Sequence, residues 1–205
     1  MLCIIDYGSG NISAIVNICK REHIDYMVAS NPKDLNACSH FLLPGVGAFD
    51  PTIEILESSG LLLALEEQVV ELKKPVLGIC VGMQLLADSS EEGQRPGLGW
   101  ISGKIRKIDS AKIAKPPYIP HMGWNSISIN RSSLLLSSID VDIGFYFLHS
   151  YYFDAGNEND VLAKVDFAGG IPCVVNRDNI YGTQFHPEKS HANGIQLIKN
   201  FAGIT

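Results

Sequence analysis

The sequence predicts an α/β fold: a mostly parallel central sheet with helices on both faces and an antiparallel extension in the C-terminal half. Three observations carry this. Short, wholly apolar runs (Leu2–Ile5, Phe41–Leu43, Val76–Ile79) alternate with helix-period stretches in the first half, as buried parallel strands do. The second half changes to short strand-like segments joined by turns. No linker, repeat or low-complexity tract divides the 205 residues, so 1–205 reads as a single domain.

Leu2–Ile5 opens the sheet, and Gly8-Ser9-Gly10-Asn11 turns the chain. Ile12, Ile15, Val16 and Cys19 then fall at i, i+3, i+4 and i+7, one face of a helix. A turn between strand and helix can hold a phosphate, but there is no G-x-G-x-x-G here, so a structural turn is the favoured reading. Tyr26–Ala29 and Phe41–Leu43 are the next strands, and Pro44-Gly45-Val46-Gly47 breaks the chain. Leu62, Leu65, Val69 and Leu72 mark the buried stripe of a long helix that Lys73-Lys74-Pro75 ends. Val76–Ile79 is a strand buried on both faces, and Met83–Ala87 begins a helix. Asp88–Gly97 reads as a solvated loop. Trp100–Ile108, Asn125–Ile129, Gly144–His149, Val161–Val165, Pro172–Val175 and Tyr181–Phe185 read as strands, closed by a helix over Gly194–Ala202.

Composition removes whole classes of function. Hydrophobic residues are 46% and charged residues 19%, an ordinary globular balance. The net charge of −6, with no basic run, excludes wrapping nucleic acid or sitting on an anionic membrane surface. The longest apolar run, Leu61–Leu65, is too short to span a bilayer, and MLCIIDYGSG lacks the basic start of a signal peptide, so the cytoplasm is expected. The five cysteines are odd in number, irregularly spaced and without C-x-x-C, which fits neither a disulfide framework nor a zinc site. Cys3, Cys19, Cys38 and Cys173 read as small core residues. His121, His149 and His191 show no metal-ligand spacing; His121 and His149 are expected to satisfy core or interface hydrogen bonds. No metal or cofactor is expected.

Cys80 is different. Gly78-Ile79-Cys80-Val81-Gly82 stands where a buried strand gives way to a helix, the thiol counterpart of the G-x-S-x-G nucleophile elbow. A tight turn strains the nucleophile, flanking glycines avoid backbone clashes, and the helix start favours thiolate. Alone, the pattern also describes a structural cysteine. A nucleophile needs a base and a group to orient it. In Gln184-Phe185-His186-Pro187-Glu188 the proline prevents a helix, which puts His186 and Glu188 two apart on an extended segment, able to point the same way. Alone, that pair also describes a solvated surface. The glycines around Val46 let its N–H turn toward a ligand, and with the N–H of Val81 this makes a two-donor oxyanion hole. Alone, P-G-x-G is a turn.

Taken together, GICVGMQ, PGVGAF and QFHPEKS resemble the class I (triad) glutamine amidotransferase family. The segments Pro120–Asn125 and Phe145–Tyr152 narrow the resemblance to glutaminase subunits of histidine biosynthesis that feed ammonia to a separate (β/α)8-barrel synthase. The match spans nearly the whole chain. It implies the flavodoxin-like fold of that family and a heterodimer acting on L-glutamine. By position, it implies Cys80 as nucleophile, His186 as acid and base, and Glu188 as its orienter. Gly47, Gln84, Glu92, Ser150 and Tyr151 match positions near bound glutamine. Trp124, Tyr146 and Lys189 match the face toward the partner and its ammonia gate. Three other readings stay open at this point: a paralogue supplying ammonia for amidine formation on a surface-polysaccharide sugar, a non-catalytic regulatory subunit, and a stand-alone cysteine hydrolase. The stretch Trp100–Pro117 departs from the histidine-pathway pattern, which keeps the paralogue as an alternative to that reading.

Overall fold

A computed structural model describes residues 1–113 and 119–204. The end of the divergent stretch, 114–117, lies outside the described residues. The first half alternates as expected: β1 (Leu2–Ile5), α1 (Ile12–Arg21), β2 (Tyr26–Ala29), β3 (His40–Gly45), α2 (Phe49–Ser58), α3 (Leu61–Glu66), β4 (Val76–Cys80) and α4 (Val81–Gln84). Asn11 caps α1 by accepting from the Ala14 N–H, Lys20 and Arg21 sit in its last turn, and Ile15, Ile18 and Cys19 face the core. The helix α2 was not legible, because Pro51 interrupts its periodic pattern; in the first turn a proline sacrifices no hydrogen bond.

The expected long helix around Leu65 holds only in part. Beyond α3 the chain widens into a π-turn over Glu67–Glu71, with the Leu72 N–H donating to the Glu67 carbonyl. The wider turn rotates the stripe, so Gln68 and Val69 are buried and Leu72 faces solvent. The helix after Cys80 is also shorter than expected. It closes after one turn because Leu98, Gly99 and Ile101 donate their N–H groups to the carbonyls of Leu85, Ala87 and Leu86.

The second half runs β5 (Ser89–Ser90), β6 (Gly103–Lys107), β7 (His121–Asn125), β8 (Ile127–Ile129), β9 (Phe145–His149), β10 (Tyr151–Ala155), β11 (Val161–Val165), β12 (Ile171–Arg177), β13 (Ile180–Thr183) and α5 (His191–Ala202). The main sheet has the order β2-β1-β3-β4-β13-β12-β11-β8. It is parallel from β2 to β13 and antiparallel from there to β8.

Not every late strand extends that sheet. Gly103–Lys107 pairs with β10 and β5 in a separate three-stranded sheet, so part of the expected solvated loop Asp88–Gly97 is strand. Trp100 and Ile101 are buried in a bend rather than in a strand. Asn125–Ile129 is two strands broken at Ser126: β7 pairs antiparallel with β9 as a ribbon of its own, while β8 joins the main sheet. Packing pins the ribbon over the sheet end: Phe145 stacks on Phe185 with ring centres 3.7 Å apart, and the His186 N–H donates to the Tyr146 carbonyl at 3.0 Å.

Strand order reverses between β1 and β3, the kind of edge where open α/β sheets bind ligands. Register aligns Gly45 with Cys80 and Thr183 with Ile79. The loop after β3, the elbow after β4 and the segment after β13 therefore leave the sheet side by side.

Candidate active site

Cys80 is the last residue of β4, with φ +55° and ψ −112°, a left-handed-side conformation that a non-glycine residue adopts only under constraint. The constraint is backbone packing. A Cβ on Gly82 would lie 1.9 Å from the Leu43 carbonyl oxygen, and one on Gly78 would lie 2.6 Å from the Gly82 carbonyl oxygen. No side chain fits at either position, so β3 and the helix start clamp the turn and aim the buried thiol at the sheet edge.

His186 and Glu188 meet there. His186 is extended, but Glu188 lies in a 3-10 turn over Pro187–Lys189 rather than on an extended segment. The turn still brings the side chains together: His186 Nδ1 is 2.8 Å from Glu188 Oε1, and both side chains are almost wholly buried. Ser190 braces the ring's backbone by donating its hydroxyl to the His186 carbonyl at 2.6 Å. Burial alone pulls the His186 pKa down, yet the Cys80 sulfur and the Glu188 carboxylate beside it outweigh burial and push it up to about 9. Both neighbours favour the protonated ring.

The peptide around Val46 is held from the turn after β1. Ser9 Oγ accepts from the Val46 N–H at 3.0 Å and lies 3.1 Å from the Val46 carbonyl, to which its hydroxyl can donate. Tyr7 donates its hydroxyl to the Pro44 carbonyl at 2.6 Å, and burial pushes its phenol above the ordinary range. A Cβ on Gly10 would lie 2.6 Å from the Pro44 Cβ. Gly8-Ser9-Gly10-Asn11 is thus a structural turn that cradles the Pro44–Gly47 loop.

One cavity of about 490 Å³ gathers most of the expected residues: Cys80, His186, Val46, Gly47, Val81 and Gln84 line it, as do Glu92, Ser150, Tyr151 and Lys189. Glu92 reaches it while its Oε2 accepts from the Phe49 N–H at 2.9 Å, at the start of α2. Glu188 stands behind His186. Trp124 and Tyr146 lie outside the cavity, opposite each other on β7 and β9. Trp124 stacks on His191 at 5.3 Å, and Lys189 Nζ sits 5.6 Å from the Tyr146 ring centre. Met122, Trp124 and Ile143 are exposed apolar residues, and Trp124 and Ile143 line a second cavity together.

Sequence reasoning missed Ser9, Tyr7, Pro120, Leu148, His149 and Gln184. Pro120, Leu148 and His149 line the cavity, and Gln184 Nε2 is 3.9 Å from the Cys80 sulfur. Gln184 stood in a motif already singled out; the position of its amide did not. His149 does hydrogen-bond in the core, as expected, with His121 Nδ1 2.9 Å from its Nε2. Burial lowers His121 to about 4 and His149 to about 3, so both are neutral. Among the described residues, no group of three or more His, Cys, Asp or Glu side chains is placed to hold a metal. No described helix is long and apolar enough to cross a membrane.

The glutamine amidotransferase class-I family matches residues 3–203. The imidazole glycerol phosphate synthase subunit HisH of Leptospira interrogans is 45% identical over 204 residues, covering both chains completely. That of Bdellovibrio bacteriovorus is 46% identical over 204 residues, again with full coverage of both. Among solved structures, PurLQS from Thermotoga maritima superposes with a TM-score of 0.70 at 15% identity, over 98% of this chain and 96% of that one. The glutaminase domain of Trypanosoma brucei CTPS gives 0.63 at 14% identity, over 100% and 94%. At such identities these two speak for the fold alone.

Proposed function

The chain belongs to the glutamine amidotransferase class-I family and hydrolyses glutamine as the glutaminase subunit of an imidazole glycerol phosphate synthase; we propose that it does so through a Cys80 thioester, with Cys80, His186 and Glu188 as the catalytic triad. The observation that carries the reading is the convergence of a strained, buried thiol with a hydrogen-bonded His186–Glu188 pair at one cavity.

Attack needs the Cys80 sulfur as thiolate, and a protonated His186 ring beside it supplies the counter-charge. The sulfur attacks the glutamine carboxamide carbon, and the oxygen that gains charge is received by the N–H groups of Val81 and Val46. His186 gives its proton to the departing nitrogen, releasing ammonia and leaving a thioester. The now neutral ring takes a proton from water, whose hydroxide attacks the thioester; glutamate leaves and the thiolate returns. Glu188 holds the ring in one tautomer throughout. Gly47, Gln84, Glu92, Ser150 and Tyr151 bound the space the substrate occupies.

Ammonia passes to the partner, a (β/α)8-barrel synthase, across the rim carrying Trp124, Tyr146 and Lys189. The work belongs to the cytoplasm, a compartment that suits five unpaired cysteines. With the Val46 N–H tied to Ser9, the isolated chain lacks one oxyanion donor, so partner binding is the step that frees it.

The test is glutamine-dependent and ammonia-dependent synthase turnover of the reconstituted pair. Cys80→Ala should abolish the first, by roughly 10⁴-fold or more, and leave the second intact. Full glutamine-dependent turnover in that variant would refute the mechanism.

A further inference from the structure

Gln184 is fully buried, stands two residues before His186, and has no part in the steps above. Its amide Nε2 lies 3.9 Å from Cys80 Sγ. An amide can be turned end for end, so its direction needs an anchor. One backbone carbonyl provides it. The Tyr151 oxygen can only accept, and the Gln84 amide contacts it at 3.4 Å, which makes that end of Gln84 the NH₂. The same NH₂ is 3.1 Å from Gln184, so the Gln184 atom facing it is the oxygen. The Gln184 NH₂ is left toward the sulfur. The Tyr151 carbonyl also accepts from His149 Nδ1 at 2.8 Å, so both of its lone pairs are engaged. A Gln84 swung away would unpair buried groups at both ends.

We propose that Gln184 is a further catalytic residue, donating an amide N–H to the Cys80 thiolate and held in that direction by Gln84 and the Tyr151 carbonyl. The inference rests on Cys80 being the nucleophile. A contact of 3.9 Å is long for a neutral thiol, and a charged sulfur draws the donor closer. The need is physical: α4 is a single turn, too short for a developed macrodipole. Gln184 exchanges no proton. It steadies the thiolate before attack and again as the leaving group when water opens the thioester. The titratable groups that face the sulfur are His186 and Tyr7, with Glu92 and Lys189 across the cavity.

The experiment follows the rate of Cys80 alkylation by iodoacetamide against pH, read by mass spectrometry of the Cys80 peptide in the full chain. Gln184→Met keeps the side chain's length and removes the donor. Its midpoint should rise by roughly one to two pH units, the worth of one hydrogen bond to a charged group. With the partner present, kcat should fall by roughly 10- to 100-fold at little change in KM. Gln184→Glu, which sets a carboxylate beside the thiolate, should move the midpoint further. A merely structural role lowers the melting temperature without moving the midpoint, and an unmoved midpoint in folded Gln184→Met overturns the proposal. Should neither variant fold, the wild-type chain decides by NMR. The Gln184 side-chain amide resonance should shift as Cys80 ionises and stay still in Cys80→Ser; a resonance indifferent to that titration in wild type overturns the proposal. The alkylation midpoint is read without glutamine, so it stands apart from the thioester reading, which fails only if Cys80→Ala retains turnover.

Discussion

Two glycine-bounded turns meet over the cavity, and they are built in opposite ways. The elbow Gly78–Gly82 is clamped by backbone on both sides, and its cysteine is buried. The loop Gly45–Gly47 is clamped at one end only. A Cβ on Gly45 would lie 2.6 Å from the Gly82 nitrogen, while nothing lies within 4 Å of the Cβ position on Gly47, whose φ is +100°. Val46 between them is 47% exposed, and its peptide is tied to the Ser9 hydroxyl. In the proposed mechanism the nucleophile is assembled in advance and the second oxyanion donor is not. In that proposal control over the rate lies in the loop that has open space at Gly47.

Gly82→Ala breaks the comparison most severely. Its methyl would sit inside van der Waals contact with the Leu43 carbonyl, so β3 must part from the elbow. We expect loss of glutamine-dependent turnover and destabilisation of about 3 kcal/mol or more, read by denaturant melts and by the coupled assay. Gly47→Ala, in open space, should cost only about 1–2 kcal/mol through backbone strain. Equal costs for the two would mean that the elbow is no more rigid than the loop.

Ser9→Ala sharpens the comparison from the other side. It removes the hydroxyl that ties the Val46 N–H and C=O. Glutamine hydrolysis by the isolated chain should rise, by at most the roughly 10²–10³ that one oxyanion donor is worth. A basal rate unchanged from wild type would show that the tie does not hold the donor back.

The smallest effect is in pH. His186, raised to about 9 from 6.5, binds its proton more tightly in the native state, so its contribution to stability is complete below about pH 6.5 and is lost as pH climbs through 9. His121 and His149, lowered to about 4 and 3, have the opposite sign: their contribution is present above pH 6.5 and is lost as pH falls through those values. The urea midpoint should fall toward both sides of about pH 6.5, and His186→Gln should flatten the alkaline side. An alkaline side that survives in that variant would assign it to other groups.

The fold was legible where the signal was local. Leu2–Ile5, Tyr26–Ala29 and Val76–Ile79 lie in strands where their apolar runs fall, and α1 covers the i, i+3, i+4, i+7 run from Ile12 to Cys19. Errors arose where distant groups intervened. Leu72 is exposed because the π-turn at Glu67–Glu71 rotates the stripe, and the helix does not continue past Gln84 because the N–H groups of Leu98, Gly99 and Ile101 take the carbonyls of Leu85, Ala87 and Leu86. Gly103–Lys107 and Phe145–His149 are strands, but they belong to sheets other than the one expected.

What the sequence determined by itself is the strand–helix alternation of the first half apart from α2, the elbow at Cys80 and the residue types for acyl transfer. These follow from periodicity, from the two glycines that must flank a strained turn, and from the thiol, imidazole and carboxylate themselves. What the tertiary structure alone decided is partnership. Period-two alternation looks the same in any sheet, so only the folded chain pairs β9 with β7 while Phe145 packs on Phe185. An amide or a hydroxyl has no direction until something fixes it. For Gln184 that is a carbonyl at Tyr151, relayed through Gln84, and for Ser9 it is a peptide 37 residues away.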